Sequence, residues 1–165
     1  SPPLLHMANL VYDTSRLSSG KYENPFSIKT LNNEDSTGEF VQLSCSAHMS
    51  GLPLNYQLTE LGAQFIRSCT TTPLYRFYAL PGGPPERPGL VRQTPGASIQ
   101  VEIWEIPVSK FGGFVCGIPA PLGIGQISLS DGTKVLGFLC EFYAVSDARD
   151  ITDLGDGRSY IKAEA

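Results

Sequence analysis

No stretch of this sequence approaches the roughly 20 consecutive apolar residues that span a bilayer, so a membrane-crossing helix is not expected. An excess of positive charge is missing too. Twelve Lys and Arg stand against 16 Asp and Glu, a net charge of −4. That balance argues against nucleic-acid binding, which usually needs a basic face. No signal-peptide pattern opens the chain, and a cytoplasmic setting with no membrane partner is the expectation. Cysteine is sparse: Cys45, Cys69, Cys116 and Cys140 are widely spaced and form no C-x-x-C pair. Neither a zinc site nor a thioredoxin-type motif is suggested. Cys45, Cys116 and Cys140 sit in apolar runs and read as buried, reduced thiols. Cys45 stands three residues before His48. In a strand that spacing turns the two side chains to opposite faces, which argues against a Cys–His nucleophile.

What is present suits one soluble domain. The 165 residues are 41% hydrophobic and 17% charged, enough to bury a real core. Residues 1–38 differ from the rest. Pro2-Pro3, Ser18-Ser19-Gly20 and the polar run 32–38 read as an extended or flexible arm, with a docking strand around Leu10–Tyr12 as an alternative. From Glu39 onward apolar patterning takes over, and residues 39–165 form the expected domain. Residues 40–45 alternate as a half-buried strand. Leu58, Leu61 and Phe65 share a helical stripe over 56–65, weakened by Gly62. Residues 74–80 are an aromatic strand and 81–85 a Pro/Gly loop. Residues 98–106 alternate with Ile99, Val101 and Ile103 on one face and Trp104 on the other. Residues 107–117 hold a helical turn with Phe111, Phe114 and Val115 inward. Asp131-Gly132 predicts a hairpin between 126–129 and 134–140. The sum is an α+β domain, a small mixed β-barrel with one or two short helices.

Several segments carry a resemblance. They are His48-Met49-Ser50-Gly51-Leu52-Pro53-Leu54-Asn55 with Gln57-Leu58, Tyr75-Arg76-Phe77-Tyr78-Ala79-Leu80-Pro81, and Pro88-Gly89-Leu90-Val91-Arg92. Ile118-Pro119-Ala120-Pro121-Leu122-Gly123-Ile124-Gly125, Gly137-Phe138-Leu139-Cys140-Glu141 and Asp150-Ile151-Thr152 follow. In this order, across residues 41–153, they resemble the C-terminal domain of allophanate hydrolase, of the urea amidolyase family. More distantly the layout resembles γ-glutamylcyclotransferases. The resemblance implies a γ-glutamylcyclotransferase-like fold and a domain that handles a small carboxylate in urea and allophanate degradation. Its implied task is to promote decarboxylation of the N-carboxycarbamate left by an amidase, as a decarboxylating lyase. The cyclotransferases' later acid/base glutamate has no counterpart here, since Phe111–Gly125 contains no acidic residue.

The residues themselves allow that chemistry. A turn through Met49, Ser50, Gly51 and Leu52 can aim consecutive backbone N–H groups at an anion. Asn55 can add a side-chain donor. His48 is a candidate general acid or base, because its ordinary pKa lies near neutrality; a core histidine bonded to a backbone carbonyl is the alternative. Pro119, Pro121 and Gly123 can form a rigid wall, or a plain crossover between strands. Tyr75 can face the site or the core. Arg76 and Arg92 can grip carboxylates or lie in solvent. Glu141 reads as structural rather than catalytic. No residue pattern calls for a metal or an organic cofactor. No serine–serine–lysine amidase segment is present, so the chain reads as an excised domain whose partner is an amidase domain or protein. A free-standing relative acting on another small amide or metabolite carboxylate is the alternative, as is a non-catalytic module assisting an amidase.

Overall fold

The computed structural model describes Lys29–Thr30 and residues 39–165. The expected arm and the alternative strand at Leu10–Tyr12 otherwise lie outside the described residues. Strand β1 (Lys29–Thr30) pairs antiparallel with the start of β2 (Glu39–Cys45). Helix α1 (Tyr56–Thr59) follows, then β3 (Gln64–Thr70), β4 (Tyr75–Leu80), β5 (Arg87–Arg92) and β6 (Gln100–Pro107). Helix α2 (Val108–Cys116) leads into the hairpin β7 (Leu122–Ser128) and β8 (Lys134–Cys140). A 3₁₀ turn, β9 (Arg149–Asp150), a second 3₁₀ turn and α3 (Gly157–Glu164) complete the order.

The strands form two sheets. The larger runs β3-β6-β2-β8-β7, with β1 beside β2; the smaller runs β5-β4-β9. Strand β2 is antiparallel to β6 and parallel to β8. The expected small α+β fold is present, but the large sheet does not close into a barrel. Its edge strands meet only near Thr71↔Leu129, where Thr72 N donates to Ser128 O at 3.0 Å.

Apolar residues cover both faces of the large sheet. On one face Val101, Ile103, Ile127 and Val135 pack against Tyr75, Phe77 and Leu90 of the small sheet and Tyr160 of α3. On the other, Leu43, Cys45, Trp104 and Ile106 pack against Leu58 of α1 and Phe111 and Phe114 of α2. This double cover explains a departure from the simple alternation of β6. Glu102, on the Trp104 face that an alternating strand would offer to solvent, is buried. Glu102 is satisfied there by Trp104 Nε1 at 3.0 Å, Ser50 N at 2.8 Å, Ser50 Oγ at 3.3 Å and the Arg158 guanidinium.

Helix α1 is shorter than its apolar stripe suggests. Gly62 takes φ +77°, a left-handed turn that ends the helix, and β3 starts two residues later. The hairpin starts earlier than the Asp-Gly rule places it, because Gly123 and Gly125 join β7 in register with Leu139 and Gly137. Cys45 and Cys140 are buried as expected, but Cys116 is exposed at the end of α2, whose inward stripe runs through Phe111 and Phe114 instead. No helix among the described residues is long and apolar enough to cross a membrane.

Candidate active site

Strand β2 delivers the chain into a tight turn just past Cys45. Leu52 N closes it on Met49 O at 3.0 Å, and Gly51 supplies the positive φ of 82° that the turn requires. The Asn55 amide donates to His48 O at 2.8 Å and fixes the histidine backbone. Helix α1 then brings Gln57 back, so that His48 Nε2 meets Gln57 Oε1 at 2.8 Å. The ring stacks on Phe138 of β8, centroids 4.9 Å apart, and meets Phe114 of α2 edge-on at 5.8 Å.

This leaves one atom without a role. With Nε2–H donating to Gln57, Nδ1 carries the free lone pair. It is buried and has no hydrogen-bond partner among the described residues. Burial lowers the His48 pKa from its ordinary value; the bond to Gln57 opposes this and the Arg87 charge adds to it. The imidazole is therefore neutral near pH 7 and basic at Nδ1. Cys45 is no competitor: full burial pushes its thiol far up, and Sγ donates to Leu43 O at 3.9 Å.

His48 lines a cavity of about 330 Å³, at the low end of small-ligand sites. Its polar wall comprises Ser46, His48, Gln57, Glu60 and Arg87; Phe114, Phe138 and Leu122 are among the apolar residues. Arg87 sits at the first position of β5, paired with Leu80, and has no ion-pair partner among the described residues. It is the cation of a largely apolar chamber. Among the described residues no group of three or more His, Cys, Asp or Glu could hold a metal.

Of the residues singled out from sequence, the cavity wall gathers His48 and Pro119. Met49 is fully buried, Gly51 is exposed, and the Ser50 and Leu52 N–H groups are already bonded, to Glu102 and to Met49 O. Asn55 holds the His48 backbone. Tyr75 is fully buried in the core, where its hydroxyl accepts the Ser128 N–H at 3.0 Å. Pro121 and Gly123 lie outside the wall, although Ile118 and Leu122 beside them line it. Arg76 pairs with Asp150, while Arg92 and Glu141 are exposed away from the cavity. Gln57, Glu60, Arg87, Phe114 and Phe138 were not singled out. Gln57 lay inside the quoted motif, and Arg87 stands just beyond a Pro/Gly loop, the kind of segment that carries function.

Comparison with known proteins agrees with this fold. Urea amidolyase of Saccharomyces cerevisiae is 37% identical over 121 residues, 70% of this chain. The chain spans about 7% of the length of the curated relatives it matches. The solved allophanate hydrolase of Kluyveromyces lactis superposes with a TM-score of 0.74 at 36% identity, covering 81% of this chain and 23% of that one. The solved uropathogenic E. coli-specific protein c4763 gives 0.68 at 34% identity, covering 74% of this chain and 96% of that one. The family model described as the allophanate hydrolase C-terminal domain matches residues 42–162, which include His48, Gln57, Arg87 and Phe138. With most of its length and its whole cavity inside that match, the chain belongs to the allophanate hydrolase C-terminal domain family.

Proposed function

We propose that this domain acts in urea and allophanate degradation by promoting loss of carbon dioxide from N-carboxycarbamate, with His48 as the proton shuttle. The observation that carries the proposal is the buried, unpartnered Nδ1 of a neutral histidine on a cavity that also holds Arg87. Arg87 grips one carboxylate of the substrate. The other carboxyl enters protonated and gives its proton to Nδ1. The C–N bond breaks, its electron pair stays on nitrogen, and nitrogen takes the proton back from the imidazolium. Carbon dioxide and carbamate leave, and the histidine is neutral again. A depressed pKa suits this cycle, because the proton must be released as readily as it is accepted.

The test supplies fresh N-carboxycarbamate from a separate allophanate-cleaving amidase and follows carbon dioxide release. Acid–base catalysis of this kind contributes about 10²–10⁴-fold, so the wild-type domain exceeds the spontaneous rate and His48→Ala falls back to it. Equal release by the two at the spontaneous rate removes the proposal.

A second reading rests on Glu60. The cavity wall does contain a carboxylate, though on α1's C-terminal side rather than at Glu141. A cyclotransferase-like reaction on another small amide would use it as acid/base. Glu60→Gln leaves N-carboxycarbamate breakdown unchanged on the first reading and abolishes activity on the second. The relatives' greater length also favours an amidase partner. Size exclusion with and without an amidase measures that.

A further inference from the structure

Helix α3 lies outside the cavity, yet three of its residues touch the segments that form the cavity's polar wall. At its first turn Gly157 sits so close to the Ser46 carbonyl that any side chain there would collide with it. One residue on, Arg158 donates to Ser50 O at 2.9 Å and pairs with Glu102. Both contacts bear on the turn that carries His48. Further along, the buried Tyr160 hydroxyl donates to Glu86 Oε2 at 3.0 Å. Burial first, and then the bond to Glu86, push the Tyr160 pKa up to about 12, so the phenol stays a donor at any working pH.

Glu86 immediately precedes Arg87. Successive side chains of an extended chain point to opposite sides. Glu86 accordingly reaches α3 while Arg87 lines the cavity. This part of the chain has little else to hold it. Arg87↔Leu80 is the last rung of the β4–β5 ladder, and the preceding Pro81–Pro85 loop is exposed. Frayed ends and loops open at lower free energy than core strands. The Tyr160–Glu86 bond closes that end.

The geometry points to Tyr160 as a positioning residue: by holding Glu86 from outside the cavity it aims Arg87 at a bound carboxylate within. This rests on the reading of the cavity as a carboxylate site. It adds a residue that never touches the ligand and that no local sequence pattern marks.

Malonate, a small dicarboxylate, is the probe, titrated calorimetrically into the full chain. Arg87→Ala loses most of the binding. Tyr160→Phe, one oxygen smaller, weakens binding by about 2- to 30-fold, the range of residues that act through a packed network. In the Arg87→Ala background Tyr160→Phe has no further effect, because the two act through one contact. Glu86→Gln keeps the acceptor oxygen and binds nearly as wild type; Glu86→Ala repeats the Tyr160→Phe loss and replaces that variant if it does not fold. NMR titration of His48 supplies a readout free of ligand. Releasing Arg87 removes part of the charge that depresses the histidine, so its titration point rises in Tyr160→Phe. If Arg87→Ala weakens malonate while Tyr160→Phe and Glu86→Ala bind as wild type, or if the two effects simply add, the positioning role is wrong and the site stands. If Arg87→Ala binds malonate normally, the carboxylate site itself falls, and this inference with it.

Discussion

Replacing Gln57 by Glu tests the His48 geometry most directly. The change is nearly isosteric and puts a carboxylate oxygen where Gln57 Oε1 now lies, 2.8 Å from Nε2. Opposite unit charges about 4 Å apart attract by about 1 kcal/mol in water and about 4 kcal/mol at the effective dielectric near a protein surface. Each 1.36 kcal/mol is tenfold in a protonation equilibrium, so the variant favours imidazolium by about 5-fold to 1,000-fold. The burial of His48 sets the result toward the upper end. The sign opposes the native environment, in which burial and Arg87 lower the pKa. Near neutral pH the variant then carries a proton on Nδ1, the lone pair is gone, and turnover shifts to higher pH. NMR suits the measurement because the chain has only two histidines, His6 and His48. His6→Gln assigns the pair. In the wild type the ¹⁵N shifts show protonated Nε2 and bare Nδ1. A His48 signal that titrates at the same or lower pH in Gln57→Glu refutes the Nε2–Gln57 bond and the tautomer drawn from it.

Tyr75→Phe removes the acceptor of the Ser128 N–H in the core and costs about 1 kcal/mol in a urea melt. It leaves malonate binding unchanged, and a loss of binding would return Tyr75 to the site. Arg158→Ala takes the cation from buried Glu102, but the bonds from Ser50 and Trp104 remain and Arg158 is 43% exposed. The cost is about 1–2 kcal/mol rather than that of a fully buried pair, and an unchanged urea midpoint contradicts it. The depressed His48 pKa makes the unfolded chain bind the proton more readily than the folded one. That contribution is present in full above the unfolded value of 6.5 and is lost as pH falls through it toward the folded value. Urea midpoints therefore drop with pH in this window. His48→Leu flattens the drop, and an equally steep fall in the variant refutes the assignment.

Local pattern carried much of the fold and only part of the candidate site. Strands 39–45, 75–80 and 100–107 were legible because each alternates or is rich in aromatics. The burial of Glu102 was not, since it follows from what packs on the second face of β6. The closeness of β8 to β2 was not legible either. There Gly137 opposes Ser44, whose Cβ lies 3.0 Å from where a Cβ on Gly137 would stand. At the site, His48 could be read from its turn, with Asn55 seven residues on. Its cage could not, because Phe114, Phe138 and Arg87 come from α2, β8 and β5, and only tertiary folding brings them together. The backbone-donor reading of Met49–Leu52 identified a real turn. Its Ser50 and Leu52 donors, however, serve the protein itself.

The apolar cage and the orphan nitrogen belong to one design. A buried acceptor without a partner costs about 1–3 kcal/mol, because it has lost water and gained nothing. Phe114 and Phe138 flank the ring and supply no donor. A ligand that brings a proton to Nδ1 relieves that cost. On the function proposed above, this favours a substrate with one carboxyl ionised for Arg87 and the other still protonated, over the dianion. A dianion satisfies Arg87 but sets a second negative charge against a lone pair, in a chamber whose other ionisable wall residue is Glu60. Malonate affinity should therefore rise as pH falls through the second ionisation of malonate. It should fall again at lower pH, once His48 itself takes a proton. His48→Leu keeps Arg87 and the cavity but has no acceptor, so its affinity should lack the rise. Calorimetric titration at successive pH values separates the two. Equal pH profiles for wild type and variant would mean that Nδ1 does not meet the ligand.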